Sequence, residues 1–233
     1  MNEIKKVAVI GSGVMGSGIA AQTANAGIEV LLLDIVPEQA KHRSEVAQAA
    51  LAKMLKAKPA PLMHPDNARL IQAGNIEDDI ARLQEVDWII EVVVERLDVK
   101  QALYSKIDQH RKPGSLVSSN TSTLPLHLLC EGRTDAFRQD FLITHFFNPP
   151  RYMQLVEIVS SAHNSPEQLE RVRNFIDRQL GKTLVNCNDT PGFIANRIGT
   201  FWLFSAVKLA IENGIDVEAA DAVLGREAGI PKT

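Results

Sequence analysis

The sequence predicts an α/β protein, a doubly wound and mostly parallel sheet with helices packed on it, followed by a truncated all-helical domain. Three observations carry this expectation. Short apolar runs with no polar face alternate with segments of helical periodicity, as in sheets covered on both sides. The 233 residues exceed one average domain and fall short of two. Beyond Thr190-Pro191 the alternation stops and helical periodicity continues unbroken. The expected domains are therefore residues 1–190 and residues 191–233.

Each element follows from its residues. Val7-Ala8-Val9-Ile10 is an apolar run leading into a glycine cluster, and Ile19 to Ala26 is small and apolar at helical spacing, closed by Gly27. Glu29 to Asp34 forms a second buried strand, and Pro37 opens a long helix carrying Lys41, Arg43, Lys53, Lys56 and Lys58. That helix stops before Pro59-Ala60-Pro61. The stretch holding His64-Pro65 and Ala68 to Ala73 is expected as an insertion beside the sheet. Strands follow at Trp88 to Val94, Leu116 to Ser119, Phe141 to Phe146, Leu155 to Val159 and Thr183 to Cys187. Helices are expected over Leu97 to His110, Leu124 to Leu129 and Pro166 to Leu180, the last capped by Ser165, and then over Gly192 to Asn213 and Val217 to about Gly225.

Composition narrows the function classes. With 45% hydrophobic and 23% charged residues the chain is ordinary globular material. A net charge of -3 lacks the basic excess of a general nucleic-acid surface, and no run is long enough to span a bilayer. Cys130 and Cys187 lie far apart without zinc or redox spacing, so both are expected as small buried hydrophobes in a reducing compartment, the cytoplasm by default. The six histidines show no ligand spacing, so no metal is expected.

Gly11-Ser12-Gly13-Val14-Met15-Gly16 is a G-x-G-x-x-G element, a weak signal alone. Here it follows a strand, opens a helix, and precedes Asp34 at the end of the next strand, which is the context of a Rossmann-type dinucleotide site. Gly11 permits the tight turn, Gly13 lets the backbone approach the pyrophosphate, and Gly16 lets helix and strand pack closely. Asp34 accepts hydrogen bonds from the ribose hydroxyls and repels an added phosphate, favouring NAD over NADP; FAD shares the fingerprint and stays open.

Further polar groups cluster in Ser119-Asn120-Thr121-Ser122, Thr144-His145-Phe146-Phe147-Asn148-Pro149, Gln154-Leu155-Val156-Glu157 and Pro191-Gly192-Phe193-Ile194-Ala195-Asn196-Arg197. With these segments and the glycine fingerprint, essentially the whole chain resembles the L-3-hydroxyacyl-CoA dehydrogenase family. The resemblance implies an NAD-dependent oxidoreductase of fatty acid β-oxidation that converts the 3-hydroxyl of an acyl-CoA to a ketone. It implies that His145 is the general base, Glu157 its partner, and Ser122 and Asn196 polar groups around the substrate oxygen. It also implies that Glu95, Lys100, Asn120 and Asn148 line the nicotinamide half of the cofactor site, with Ser122 beside them and Gly11, Gly13, Val14, Met15, Gly16 and Asp34 holding the rest. The chemistry stands on its own, because hydride can leave the carbinol carbon only if the hydroxyl proton is also lost, and histidine suits that transfer.

Each residue also admits a plainer reading. His145 can be a structural hydrogen-bonder, Glu157 the outward residue of a strand alternation, Asn196 a helix-surface amide, and Ser122 a helix cap. Lys53, Lys56 and Lys58 can meet CoA phosphates, although a solvated helix face is the simpler reading. The ending Gly229-Ile230-Pro231-Lys232-Thr233 and the Thr200-Phe201-Trp202 stretch resemble the subgroup in which this unit precedes an enoyl-CoA hydratase domain in one longer polypeptide. The second domain is then incomplete, and the chain is either an enzyme or a non-catalytic NAD-binding or assembly module. Phe193 to Ile211 leave almost no polar face, so that helix is expected to be buried on most sides, by homodimerisation through residues 192–225.

Overall fold

The computed structural model describes residues 3–39, 41–225 and 228. The chain divides into two compact units, Met1–Pro191 and Gly192–Thr233. In the first, the described strands are β1 (Lys6–Ile10), β2 (Glu29–Asp34), β3 (Ile71–Asn75), β4 (Trp88–Glu91), β5 (Leu116–Ser119), β6 (Phe141–Phe146), β7 (Leu155–Val159) and β8 (Thr183–Cys187). They make one sheet in the order β3-β2-β1-β4-β5-β6-β7-β8. Every neighbouring pair is parallel except β6 and β7. The chain winds outward from β1 to β3 and returns to place β4 on β1's other side, so a crevice opens between the carboxyl ends of β1 and β4.

The apolar runs become the central strands for the expected reason. Val7 to Ile10, Leu31 to Leu33 and Trp88 to Ile90 are fully buried, which parallel strands covered on both faces require. The α-helices of this unit among the described residues are α1 (Val14–Asn25), α2 (Glu45–Met54), α3 (Leu97–His110), α4 (Leu126–Leu129), α5 (Asp135–Asp140) and α6 (Pro166–Asn174). Ser165 caps α6 by accepting from the Gln168 amide, with Pro166 in the first turn. The Phe175 ring continues that element into the core, edge-on to Trp88 at 5.7 Å.

Several expectations need correction. The helix expected from Pro37 begins only at Glu45, because Arg43 pairs with Glu77 and Asp78, and Ser44 receives the Asn75 amide, drawing this polar stretch off the helical path. Of its five basic residues only Lys53 lies on α2. The supposed insertion contains a sheet strand, since β3 pairs in parallel with β2 as the edge of the sheet. A Cβ on its Gly74 would crowd the Asp79 carboxylate, which would have to shift. The strand from Trp88 ends at Glu91 rather than Val94, because the Val93 amide turns back to donate to the Glu91 side chain. Finally, α5 was missed although Thr134 caps it, and Cys187 is half-buried while Cys130 is buried.

In the second unit, α7 (Ala195–Glu212) and α8 (Val217–Leu224) have no buried residue. Phe201 and Ile211 are each 75% exposed. Burial of this apolar face is therefore not met within the described residues. Gly229 to Thr233, on which part of the subgroup resemblance rests, lie outside the described residues. No described helix is long and apolar enough to cross a membrane.

Candidate active site

The glycine loop joins β1 to α1 at the crevice. Gly11 has a φ of 103°, and a Cβ on it would lie 2.5 Å from the Val92 carbonyl oxygen, so only glycine fits where this loop crosses the end of β4. A Cβ on Gly16 would lie 1.8 Å from the Gly11 carbonyl oxygen, the close helix–strand approach that the motif requires. A Cβ on Gly13 would meet nothing within 4 Å, so this position at the amino end of α1 is open and could admit a phosphate. Val14 is exposed beside it, and Met15 packs partly into the core. Asp34 accepts at Oδ2 from the Ser12 amide at 2.5 Å and the Ser12 hydroxyl at 2.6 Å, tying the loop to the end of β2. These residues fit an adenosine diphosphate group, the glycine loop facing its phosphates and the Asp34 carboxylate available to its ribose hydroxyls.

Across the crevice, β4 ends in Glu91, a fully buried carboxylate. Its Oε1 accepts from the Val93 amide at 2.8 Å and from Lys100 Nζ at 2.7 Å, and its Oε2 from the Tyr104 hydroxyl at 2.6 Å and the Ser119 hydroxyl at 2.7 Å. Lys100, itself buried, also lies 3.2 Å from the half-exposed Glu95. Burial pushes the Glu95 carboxyl up, but the Thr121 hydroxyl and the Lys100 ammonium outweigh it and hold the group below its ordinary value. Thr121, not Ser122, serves the turn, accepting from the amides of Thr123 and Leu124. Ser122 is half-buried and Pro125 occupies the cap of α4, so the helix-cap reading of Ser122 falls away. Asn120 accepts from the Phe146 amide at 2.9 Å through its side-chain oxygen, tying the end of β5 to that of β6.

The antiparallel pairing of β6 with β7 sets His145 directly opposite Glu157. Opposed residues of an antiparallel pair share a face, and here Nδ1 lies 2.8 Å from Glu157 Oε2. Glu157 is fully buried, so it is not the outward residue of a surface alternation. The imidazole, 7% exposed, packs edge-on to Phe147 with ring centroids 4.6 Å apart. A carboxylate on Nδ1 selects the tautomer with its proton there, which leaves Nε2 as the basic nitrogen.

Asn148, exposed and followed by a cis peptide bond to Pro149, lines a cavity of about 450 Å³ with Ser12, Gly13, Lys53 and Tyr152. Buried Lys182 holds the turn after it, donating to the carbonyls of Pro150 and Met153. Arg151 and Tyr152 then donate to the Ala60 carbonyl and close the cavity's far wall. Asn196 lies in the other unit, exposed on the first turn of α7. Among the described residues no group of acidic, histidine and cysteine side chains is arranged to hold a metal.

The 3-hydroxyacyl-CoA dehydrogenase, NAD binding domain family matches residues 6–190, most of the chain and all of the sheet. The chain belongs to this family. NAD is accordingly the cofactor of its Rossmann unit. A probable 3-hydroxyacyl-CoA dehydrogenase of Bacillus subtilis (strain 168) is 48% identical over 99% of this chain and 31% of its own length. A putative fatty acid oxidation complex trifunctional enzyme of Rickettsia felis is 47% identical over all of this chain and 32% of its own length. The chain thus spans about a third of these two relatives. The crystal structure of FadB2 from M. tuberculosis superposes with a TM-score of 0.82 at 28% identity, covering 99% of this chain and 80% of that one.

Within this NAD-binding domain, sequence reasoning missed Glu91, Ser12 and Lys182. Glu91 was absorbed into an apolar strand, where a charged residue was itself the signal: an acid inside a run of Trp, Ile and Val needs buried partners. Lys182 had no sequence signal, because its partners are carbonyls remote in the chain.

Proposed function

We propose that this chain carries the NAD-binding and proton-accepting half of a 3-hydroxyacyl-CoA dehydrogenase, oxidising (S)-3-hydroxyacyl-CoA to 3-oxoacyl-CoA in fatty acid β-oxidation. The observation that carries the reading is the His145–Glu157 contact of 2.8 Å between β6 and β7 of the sheet that carries the glycine loop. NAD supplies the hydride acceptor. His145 takes the hydroxyl proton at Nε2 as the carbinol C–H bond breaks, and Glu157 stabilises the imidazolium that forms. Ser122 donates to the substrate oxygen, whose charge rises as the proton leaves.

Reduction of acetoacetyl-CoA by NADH, followed by absorbance, tests the reading. Turnover that disappears in His145→Gln supports it, and NADH binding without any turnover supports the alternative of a non-catalytic NAD-binding or assembly module. The exposed apolar faces of α7 and α8 fit a two-fold homodimer through residues 192–225, and light scattering showing a stable monomer would reject that. The Rickettsia felis relative supports a longer multifunctional parent, with an enoyl-CoA hydratase domain as the proposed neighbour. The proposed location is the cytoplasm, where the thiols of Cys130 and Cys187 stay reduced.

A further inference from the structure

Glu91 lies under the crevice, touches neither the glycine loop's open position nor the His145 pair, and yet gathers four donors from three elements. Tyr104 and Lys100 come from α3, Ser119 from the end of β5, and Val93 from the turn that carries the chain to Glu95. A buried carboxylate is tolerated only when charge and lone pairs are answered, and here all four are. The consequence falls on Lys100. An ammonium has three N–H donors. Glu91 takes one at 2.7 Å and Glu95 lies 3.2 Å away, which leaves one N–H on an ammonium that is itself only 1% exposed.

We propose that Glu91 is a positioning residue for the cofactor, holding the Lys100 ammonium from below so that its remaining donor, and Glu95 beside it, meet the nicotinamide half of NAD. This rests on the reading that Lys100 and Glu95 line that half of the site. Without Glu91, Lys100 has Glu95 as its one carboxylate partner and is drawn outward toward it. Glu91→Gln is a mild change sterically. The amide oxygen can face Lys100 and Val93, while the hydroxyls of Tyr104 and Ser119 rotate to accept from the amide nitrogen.

The test is a double-mutant cycle read by NADH fluorescence titration on the full chain, with thermal melting run alongside. Glu91→Gln is expected to raise the NADH Kd about tenfold, the scale of losing a support for a binding group. Lys100→Met is expected to raise it at least as much, and adding Glu91→Gln to Lys100→Met is expected to change it no further. A factor that is the same in both backgrounds, or a Glu91→Gln variant with a lowered Tm and an unchanged Kd, makes Glu91 merely structural and overturns the proposal. If Lys100→Met leaves the Kd unchanged, the placement of Lys100 at the cofactor fails and the proposal falls with it, a result separable from the first. Should Glu91→Gln not fold, Glu91→Asp keeps the charge and withdraws it by one carbon. Its Kd rise must likewise vanish in the Lys100→Met background, or the proposal is wrong.

Discussion

On the proposed reading His145 acts as the base, with Glu157 as a partner. Glu157 lies across the β6–β7 pair at 2.8 Å, and both side chains are nearly out of solvent, so the imidazolium formed on proton uptake is paired at once. His145→Gln is expected to keep NADH affinity within about twofold and to lower kcat on the order of 100-fold or more, because it removes the proton acceptor and nothing that binds the cofactor. Steady-state acetoacetyl-CoA kinetics beside an NADH titration checks both halves, and an undiminished rate would remove His145 from the mechanism. The cysteines separate in the same local terms. Burial pushes the Cys130 thiol up to about 12, so at neutral pH it is neither ionised nor reachable, whereas Cys187 is half-buried. Timed alkylation with mass spectrometry should label Cys187 first, and preferential labelling of Cys130 would contradict its burial.

The turn between β1 and α1 shows how one motif divides its duties among its glycines. Gly13→Ala places a methyl in open space at an extended backbone geometry that alanine adopts freely. Its Tm should hold, while the NADH Kd rises by about tenfold or more as the methyl fills the pyrophosphate cradle. Gly16→Ala instead drives a methyl to 1.8 Å from the Gly11 carbonyl oxygen, so α1 must shift off β1. A loss of at least about 2 kcal/mol in stability is expected, in the range of overpacking a filled site. Urea melts with NADH titrations separate the two variants, and equal Tm losses would mean that the glycines do not divide these tasks. The motif, Asp34 and the central strands were legible in the sequence because each is a local pattern of residue types. The long helix from Pro37 was misjudged because Arg43 and Ser44 answer to Asp78 and Asn75, more than thirty residues away.

Across the molecule, Asp87 ties three distant segments together. Its carboxylate accepts from the Lys5 and Lys6 amides at the start of β1, pairs with Lys112 after α3, and lies 3.5 Å from Arg171 on α6. Burial pushes its pKa up, but Lys112 and the two amides outweigh that and hold it below the ordinary value. A depressed folded-state pKa contributes stability that is present above the unfolded value and lost as pH falls through the folded one. Asp87→Asn should therefore cost about 1–3 kcal/mol at pH 7. The difference from wild type should shrink below about pH 4, where the unfolded carboxyl protonates. Urea midpoints across that range check this, and a gap independent of pH would show that the ion pairs contribute nothing.

The sequence by itself determined the alternation of strands and helices, the dinucleotide loop and its acid, and the residue types available for proton transfer, because these depend on neighbours within a turn or a strand. Only the tertiary structure decided that Glu157 faces His145, since that follows from one antiparallel pairing in an otherwise parallel sheet. The same holds for β3, whose place beside β2 depends on hydrogen bonds to a partner about forty residues earlier rather than on its own weak pattern. It holds most of all for Glu91, whose charge is tolerable only because α3, β5 and the turn after β4 converge on it, a convergence that no local pattern encodes.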